Sequence, residues 1–268
     1  MQRVRLKLML GYAALALSSA GGLSTATLLG QTSQQAAIQA ASQHAVLVEL
    51  FTSEGCSSCP PADDLLRKID GKHTKDGAVI VGVSEHVTYW DHGGWKDPFD
   101  SAAITERQTQ YSQRFHLDSP YTPQMVVNGK VQFVGSDGPA LLQAIGSAPQ
   151  QVATVKIVSA KIEGGAVVMN VAVGGELPKR GADLFAVVAQ DEKTMNVTAG
   201  ENKGRTLENA AVARTYQKAA KVKNAGETTM RIPLPDDLKT TSDSRRHLIV
   251  WAQEPDLGPV LGVDTLAF

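Results

Sequence analysis

Cysteine is nearly absent from this chain: two residues in 268, Cys56 and Cys59, three positions apart. A small domain stapled by disulfides carries several cysteines at long separations, so that architecture is excluded. A bridge closing so short a loop adds little stability through loop-closure entropy, which makes the pair chemical rather than structural. Aromatic residues are also scarce, at 5%, and the formal charge is only −1. Neither a base-stacking surface nor a global basic field is available, so nucleic acid is not an expected partner. The 43% hydrophobic content suffices for the core of one large unit or two small domains.

The N-terminus carries a different pattern. Arg3, Arg5 and Lys7 precede a mostly apolar run at 8–17, and Ser18, Ser19 and Ala20 follow as small residues. That order is the one a secretory signal uses, so residues 1–20 are read as a signal peptide and the protein as periplasmic or otherwise exported from a bacterium. Cleavage there removes three positive charges and no acids, taking the formal charge from −1 to −4. The rival reading is an uncleaved anchor, since no charge occurs between Leu8 and Gly30. Its serines, threonines and glycines weaken that reading, and no stable membrane insertion is expected after cleavage. Residues 31–44 are polar and Ala-rich and read as a tether or a loose helix, and 21–44 as a whole is taken as a flexible tether.

The apolar run at 45–51 predicts a buried strand, followed by turn residues Thr52, Ser53, Glu54 and Gly55 and then CSSCPP at 56–61. Leu65, Leu66 and Ile69 recur at helical spacing, with Asp63 and Asp64 in the first turn of a helix over 62–69. A second buried strand is predicted at 78–83, giving a parallel strand–CxxC–helix–strand unit. The stretch 86–100 is too rich in Gly, Asp and aromatics for a plain helix. A helix is expected at 101–115, strands at 125–127 and 131–134 around Asn128-Gly129, and a closing helix at 139–145. After a linker at 146–150 the pattern changes to strands at 154–162, 166–173, 183–191, 228–233 and 247–254, as in an antiparallel sandwich or sheet.

A thiolate is the reactive form of cysteine, and a helix N-terminus lowers its pKa. Cys56 is assigned as the attacking, more exposed sulfur and Cys59 as the resolving, more buried one. Cys59 precedes Pro60, which pushes it away from the α region and places it just outside the helix. Half of a zinc site has the same spacing, but no second CxxC or His pair follows, so neither a structural metal nor any other cofactor is expected. Pro123, in TPQMVVNG, stands at a strand start before a hairpin. This resembles the thioredoxin arrangement, which implies a cis Thr122–Pro123 bond facing the CxxC; the alternative is a trans proline beginning an edge strand. His86 lies just beyond the second strand's C-terminal end, the edge where ligands bind in open α/β sheets. It is a candidate for stabilising the Cys56 thiolate, for acid/base work or as a third metal ligand, against the reading of a loop histidine bonded to backbone. Trp90, Asp91, Trp95 and Asp97 either wall that pocket or cover the sheet edge. His92 and His116 read as surface histidines. Glu201, in ENKG, sits in a turn, or in a loop that reaches over the CxxC edge.

These segments carry a resemblance. Residues 45–148 resemble the thioredoxin fold through CSSCP, the TPQMVVNG segment and the order of elements. The whole exported chain is similar to the bacterial family known as domain of unknown function 1223, through ELFTSEGCSSCPPAD (49–63), HVTYWDHGGWKDPF (86–99), YTPQMVVNG (121–129) and GENKGRTL (200–207). The resemblance implies an α/β thioredoxin-like domain, a central mixed sheet with flanking helices, at 45–148. An antiparallel β domain follows at 151–268.

Three functions fit. The first is an exported thiol–disulfide oxidoreductase acting on reactive cysteines of another exported protein, with Cys56, Cys59, Pro123 and His86 as catalytic candidates and Thr122, Trp90, Asp91 and Glu201 toward the substrate. The second is a copper-binding or delivery module using both thiolates and His86. The third is a binding scaffold with an inert disulfide.

Overall fold

The computed structural model describes residues 44–240 and 245–268. The expected signal peptide and residues 21–43 of the expected tether lie outside the described residues. Strand β1 (Ala45–Thr52) leads through the CxxC into helix α1 (Pro60–Ile69) and back to β2 (Val79–His86). A 3-10 turn (Thr88–Trp90) and helix α2 (Ala102–Arg114) precede the hairpin β3 (Gln124–Val127) and β4 (Val131–Val134) and helix α3 (Gly138–Gly146). There follow β5 (Ala153–Glu163), β6 (Ala166–Gly175), β7 (Ala182–Asn196), β8 (Thr206–Val222), β9 (Gly226–Pro233), the short helix α4 (Asp236–Thr240), β10 (Arg246–Gln253) and β11 (Val260–Ala267).

Eight strands form one mixed sheet in the order β11-β10-β7-β8-β2-β1-β3-β4, and β5-β6-β9 form a separate antiparallel sheet. β1 and β2 run parallel from Ala45↔Val79 to Thr52↔His86, while β3 lies antiparallel on the other side of β1. The segment after residue 150 joins this sheet directly: β8 meets β2 in parallel at Ser84↔Val212. The expected linker thus marks a change of strand pattern within one compact unit.

Alternation explains the layers. In β7, Leu184, Ala186 and Val188 face the three-stranded sheet, whereas Phe185, Val187 and Ala189 join a core with Leu47, Phe51, Val81 and Val83 under α2. β10 divides likewise, with Leu248 and Val250 on one side and Ile249 and Trp251 on the other. Burial on both faces is why these strands read as unbroken apolar runs. On the remaining face, Leu66 of α1 and Leu141 of α3 cover Val46, Val48 and Leu50. Fully burying each such side chain contributes roughly 1.5–3 kcal/mol.

Two expected boundaries move in ways that matter. Helix α1 begins at Pro60 rather than 62, because Pro is accommodated where the first helical N–H groups lack intrahelical partners. Strand β2 continues three residues past the expected end, so His86 is its last residue, not a loop residue.

Candidate active site around the Cys56–Cys59 disulfide

Cys56 and Cys59 are joined as a disulfide where β1 gives way to α1. Cys59 is the N-cap of α1, half outside the helix as expected. Its backbone is nevertheless in the α region (φ −78°, ψ −37°), and its carbonyl accepts from the N–H groups of Ala62 and Asp63. The expectation that Cys56 is the exposed sulfur is overturned: both cysteines are 0% exposed. Only Ser57 and Ser58 between them reach solvent.

Two segments approach the motif. The Thr122–Pro123 bond is cis, as expected. Pro123 lies beside Leu50 of β1 and Ala62 of α1, all three closing on Gly135. Trp90 links this turn to the motif: its Nε1 donates to Thr122 Oγ1 at 2.7 Å, and a Cβ on Gly55 would come within 2.9 Å of the Trp90 carbonyl. Asp91 faces its own loop instead, accepting from the Asp97 N–H and lying 3.6 Å from Lys96 Nζ.

Beneath the motif sits a buried polar cluster. Asp97 Oδ2 accepts from the Glu54 N–H (2.8 Å) and the Ser53 hydroxyl (3.2 Å), and pairs with His86 Nδ1 at 2.7 Å. Burial works against charge on both members of the Asp97–His86 pair. Even so, His86 keeps the Asp97 carboxyl below its ordinary pKa, and Asp97, Asp63 and Glu54 hold His86 above its own. Glu54 is lifted to about 7 by burial and by the charge of Asp97, and burial lifts Asp63 to about 7 as well. Glu54 Oε1 accepts from Asn209 of β8 at 3.1 Å, whereas Glu54 Oε2 and His86 Nε2 have no hydrogen-bond partner among the described residues. A cleft of about 160 Å³ lined by Pro60, Asp63, Asp64, Arg205 and Leu207 opens beside the start of α1. The arrangement holds groups that exchange protons near neutrality around a reducible bond.

Of the sequence candidates, His86, Trp90, Thr122, Pro123 and Glu201 come together around the motif. Among the described residues no three His, Cys, Asp or Glu side chains are placed to hold a metal ion. Asp97, read as a pocket wall, lies under the motif with its carboxylate turned to His86. Sequence reasoning missed Glu54, Asp63, Asn202 and Asn209. Glu54 and Asp63 read as a turn residue and a helix-start acid, and only the spacing of Asp63, one turn after Cys59, hinted at more.

Residues 198–204, between β7 and β8, lie over the motif. Glu201 Oε2 accepts from the Ser57 N–H at 3.1 Å and from its hydroxyl at 2.7 Å. Asn202 Nδ2 donates to the carbonyls of Glu54 (2.8 Å) and Cys56 (2.9 Å).

Among solved structures, the chain is similar to protein AGR_C_4864 from Agrobacterium tumefaciens, at 26% identity and a TM-score of 0.59, covering 84% of this chain and 96% of that one. It also shares its fold with HBP35 of Porphyromonas gingivalis, at 12% identity and a TM-score of 0.56, covering 84% and 76%. No curated protein matches. A family model matches residues 47–253, a span that holds the disulfide, the cis-proline turn and the loop over them, and the chain belongs to the family it describes, protein of unknown function (DUF1223).

Proposed function

We propose that the protein is an exported thiol–disulfide oxidoreductase with a thioredoxin-like N-terminal half, acting on cysteines of another exported protein. The observation that carries this reading is the Cys56–Cys59 disulfide at the start of α1, beside a cis proline and above buried acids with pKa values near neutrality. The order β2-β1-β3-β4, with β1 and β2 parallel and β3 antiparallel, supports the thioredoxin-like assignment. Export fits the N-terminal charge pattern and a compartment in which disulfides persist.

In the exchange, a partner thiolate attacks Cys56 Sγ. The intramolecular S–S bond breaks, and its electron pair leaves on Cys59 Sγ, which takes a proton. Asp63, one helical turn after Cys59, is the acid suited to supply it. A second partner thiol loses its proton and attacks the partner sulfur of the mixed disulfide, releasing Cys56. Two electrons and two protons thus pass from the partner dithiol to the cysteine pair.

The test is mixed-disulfide trapping with Cys59→Ser in the exported fraction of the source cell. In this variant the exchange is caught in reverse: the Cys56 thiolate attacks a disulfide of the oxidised partner and expels one partner thiolate. The expected result is a covalent adduct through Cys56 that dissolves on reduction and is absent from the Cys56→Ser, Cys59→Ser double variant. Failure to trap any protein, with a disulfide inert to dithiol partners, would sink the reading.

A further inference from the structure

A disulfide with both sulfurs buried cannot meet a partner unless its cover moves, and residues 198–204 are part of that cover. The loop is held by polar bonds: the two that Ser57 gives Glu201, the two that Asn202 gives the Glu54 and Cys56 carbonyls, and one from the Gly200 N–H to the Gly93 carbonyl. Asn202 is its only buried residue, and its Oδ1 accepts from Arg205 Nη1 at 2.8 Å. None of its residues enters an apolar core cluster. Water can replace each of these bonds, and no core side chain has to leave its cluster, so opening belongs to the low-cost end of local motions.

We propose that residues 198–204 are a lid over the disulfide, with Asn202 as its latch and the Glu201–Ser57 contact as its clasp, and that lid opening controls access to the sulfurs. Opening frees the Glu54 and Cys56 carbonyls, two backbone acceptors suited to the N–H groups of an extended peptide that carries the reacting thiol. This second point rests on the exchange reading; the lid itself does not.

The test measures how fast dithiothreitol reduces the disulfide in the folded, full-length oxidised protein. In that reaction one reagent thiolate attacks a cysteine sulfur, and the second closes the reagent into a cyclic disulfide. Two electrons and two protons pass to Cys56 and Cys59. Acid quenching and alkylation report the fraction reduced. Asn202→Ala is expected to raise the rate tenfold or more and Glu201→Gln several-fold, while Lys203→Ala, an exposed residue of the same loop, leaves it unchanged. Wild-type rates in both Asn202→Ala and Glu201→Gln, or equal acceleration in Lys203→Ala, would overturn the lid. Should Asn202→Ala not fold, Glu201→Gln and hydrogen exchange of the native protein decide. Amides at 200–204 and Ser57 are expected to exchange faster than those of β7 and β8, and exchange only through global unfolding refutes the lid. No partner is needed in this assay, so an accelerated variant together with failed trapping would retain the lid and remove the exchange function.

Discussion

At the scale of single residues, the unusual feature is the concentration of ionisable groups beneath a nearly apolar chemical centre. Asp63 shows the cost. Its pKa moves from 3.8 to about 7 on folding, chiefly through burial. Between those values the folded protein keeps a proton that the unfolded chain has released, so this residue's contribution to stability declines as pH rises from about 4 to 7 and is level above. Glu54 acts in the same direction. His86, a cation held above its ordinary pKa, likewise stabilises at low pH and loses that contribution as pH climbs through its folded value. Asp63→Asn is therefore expected to gain on the wild type by roughly 2 kcal/mol between pH 5 and pH 8, measured by urea unfolding at each pH. A constant difference across that range would show that Asp63 is ionised in the folded state. The same variant should slow exchange at the disulfide, since it removes the acid nearest in sequence to Cys59.

At the scale of elements, the β3–β4 hairpin ties the site-bearing half of the sheet to the far end of the chain. Asn128 and Gly129 both take left-handed backbone, at φ 48° and 62°. Asn128 Oδ1 accepts from the Leu47 N–H, and a Cβ on Gly129 would lie 2.6 Å from the Gly258 carbonyl and 2.7 Å from Gln253 Nε2. Gly129→Ala thus meets backbone strain and a clash together and should cost about 2–4 kcal/mol. Gly71→Ala, with φ 70° but no atom within 4 Å, should cost only about 1 kcal/mol. Denaturant midpoints of the two variants compare them directly. This hairpin was legible in the sequence because Asn-Gly between apolar runs has one favoured geometry. β1, the CxxC helix and the cis proline were legible for similarly local reasons. β8 was not: TLENAAVARTYQKAAKV is rich in Ala and Lys, and it is a strand because β7 and β2 flank it. Asn202 and Asn209 escaped notice because their partners lie about 150 positions earlier in the chain.

At the scale of the whole molecule, a buried guanidinium binds the two halves together. Arg107 of α2 donates from Nε to Glu49 of β1 at 2.5 Å, from Nη1 to Tyr216 of β8 and from Nη2 to Gln253 of β10. The rings of Tyr111, Phe185, Tyr216 and Trp251 surround it at 4.8–5.4 Å. Arg107→Ala strips the guanidinium from buried Glu49, leaving it only the Tyr111 hydroxyl, so a loss of about 3–5 kcal/mol is expected in equilibrium unfolding. Because Phe185, Ile249 and Trp251 share a core with Leu47, Phe51 and Val83, residues 45–268 should unfold in one transition seen alike by near- and far-ultraviolet circular dichroism. A chain ending at residue 150 should fail to give a dispersed amide spectrum; a folded fragment would refute the shared core.

That shared core has a consequence for biosynthesis. Cys56 and Cys59 are made long before Asn202, and the strands that cover the face under α2 come last. On the export reading the chain enters the oxidising compartment unfolded, so the two thiols are open to oxidants there, and the bond between them can form before the remainder of the protein closes over it. Order of folding, rather than a later opening, then provides the first access to this site. Chains halted at residue 196 should accordingly react with maleimide at both thiols, and complete reduced chains far more slowly.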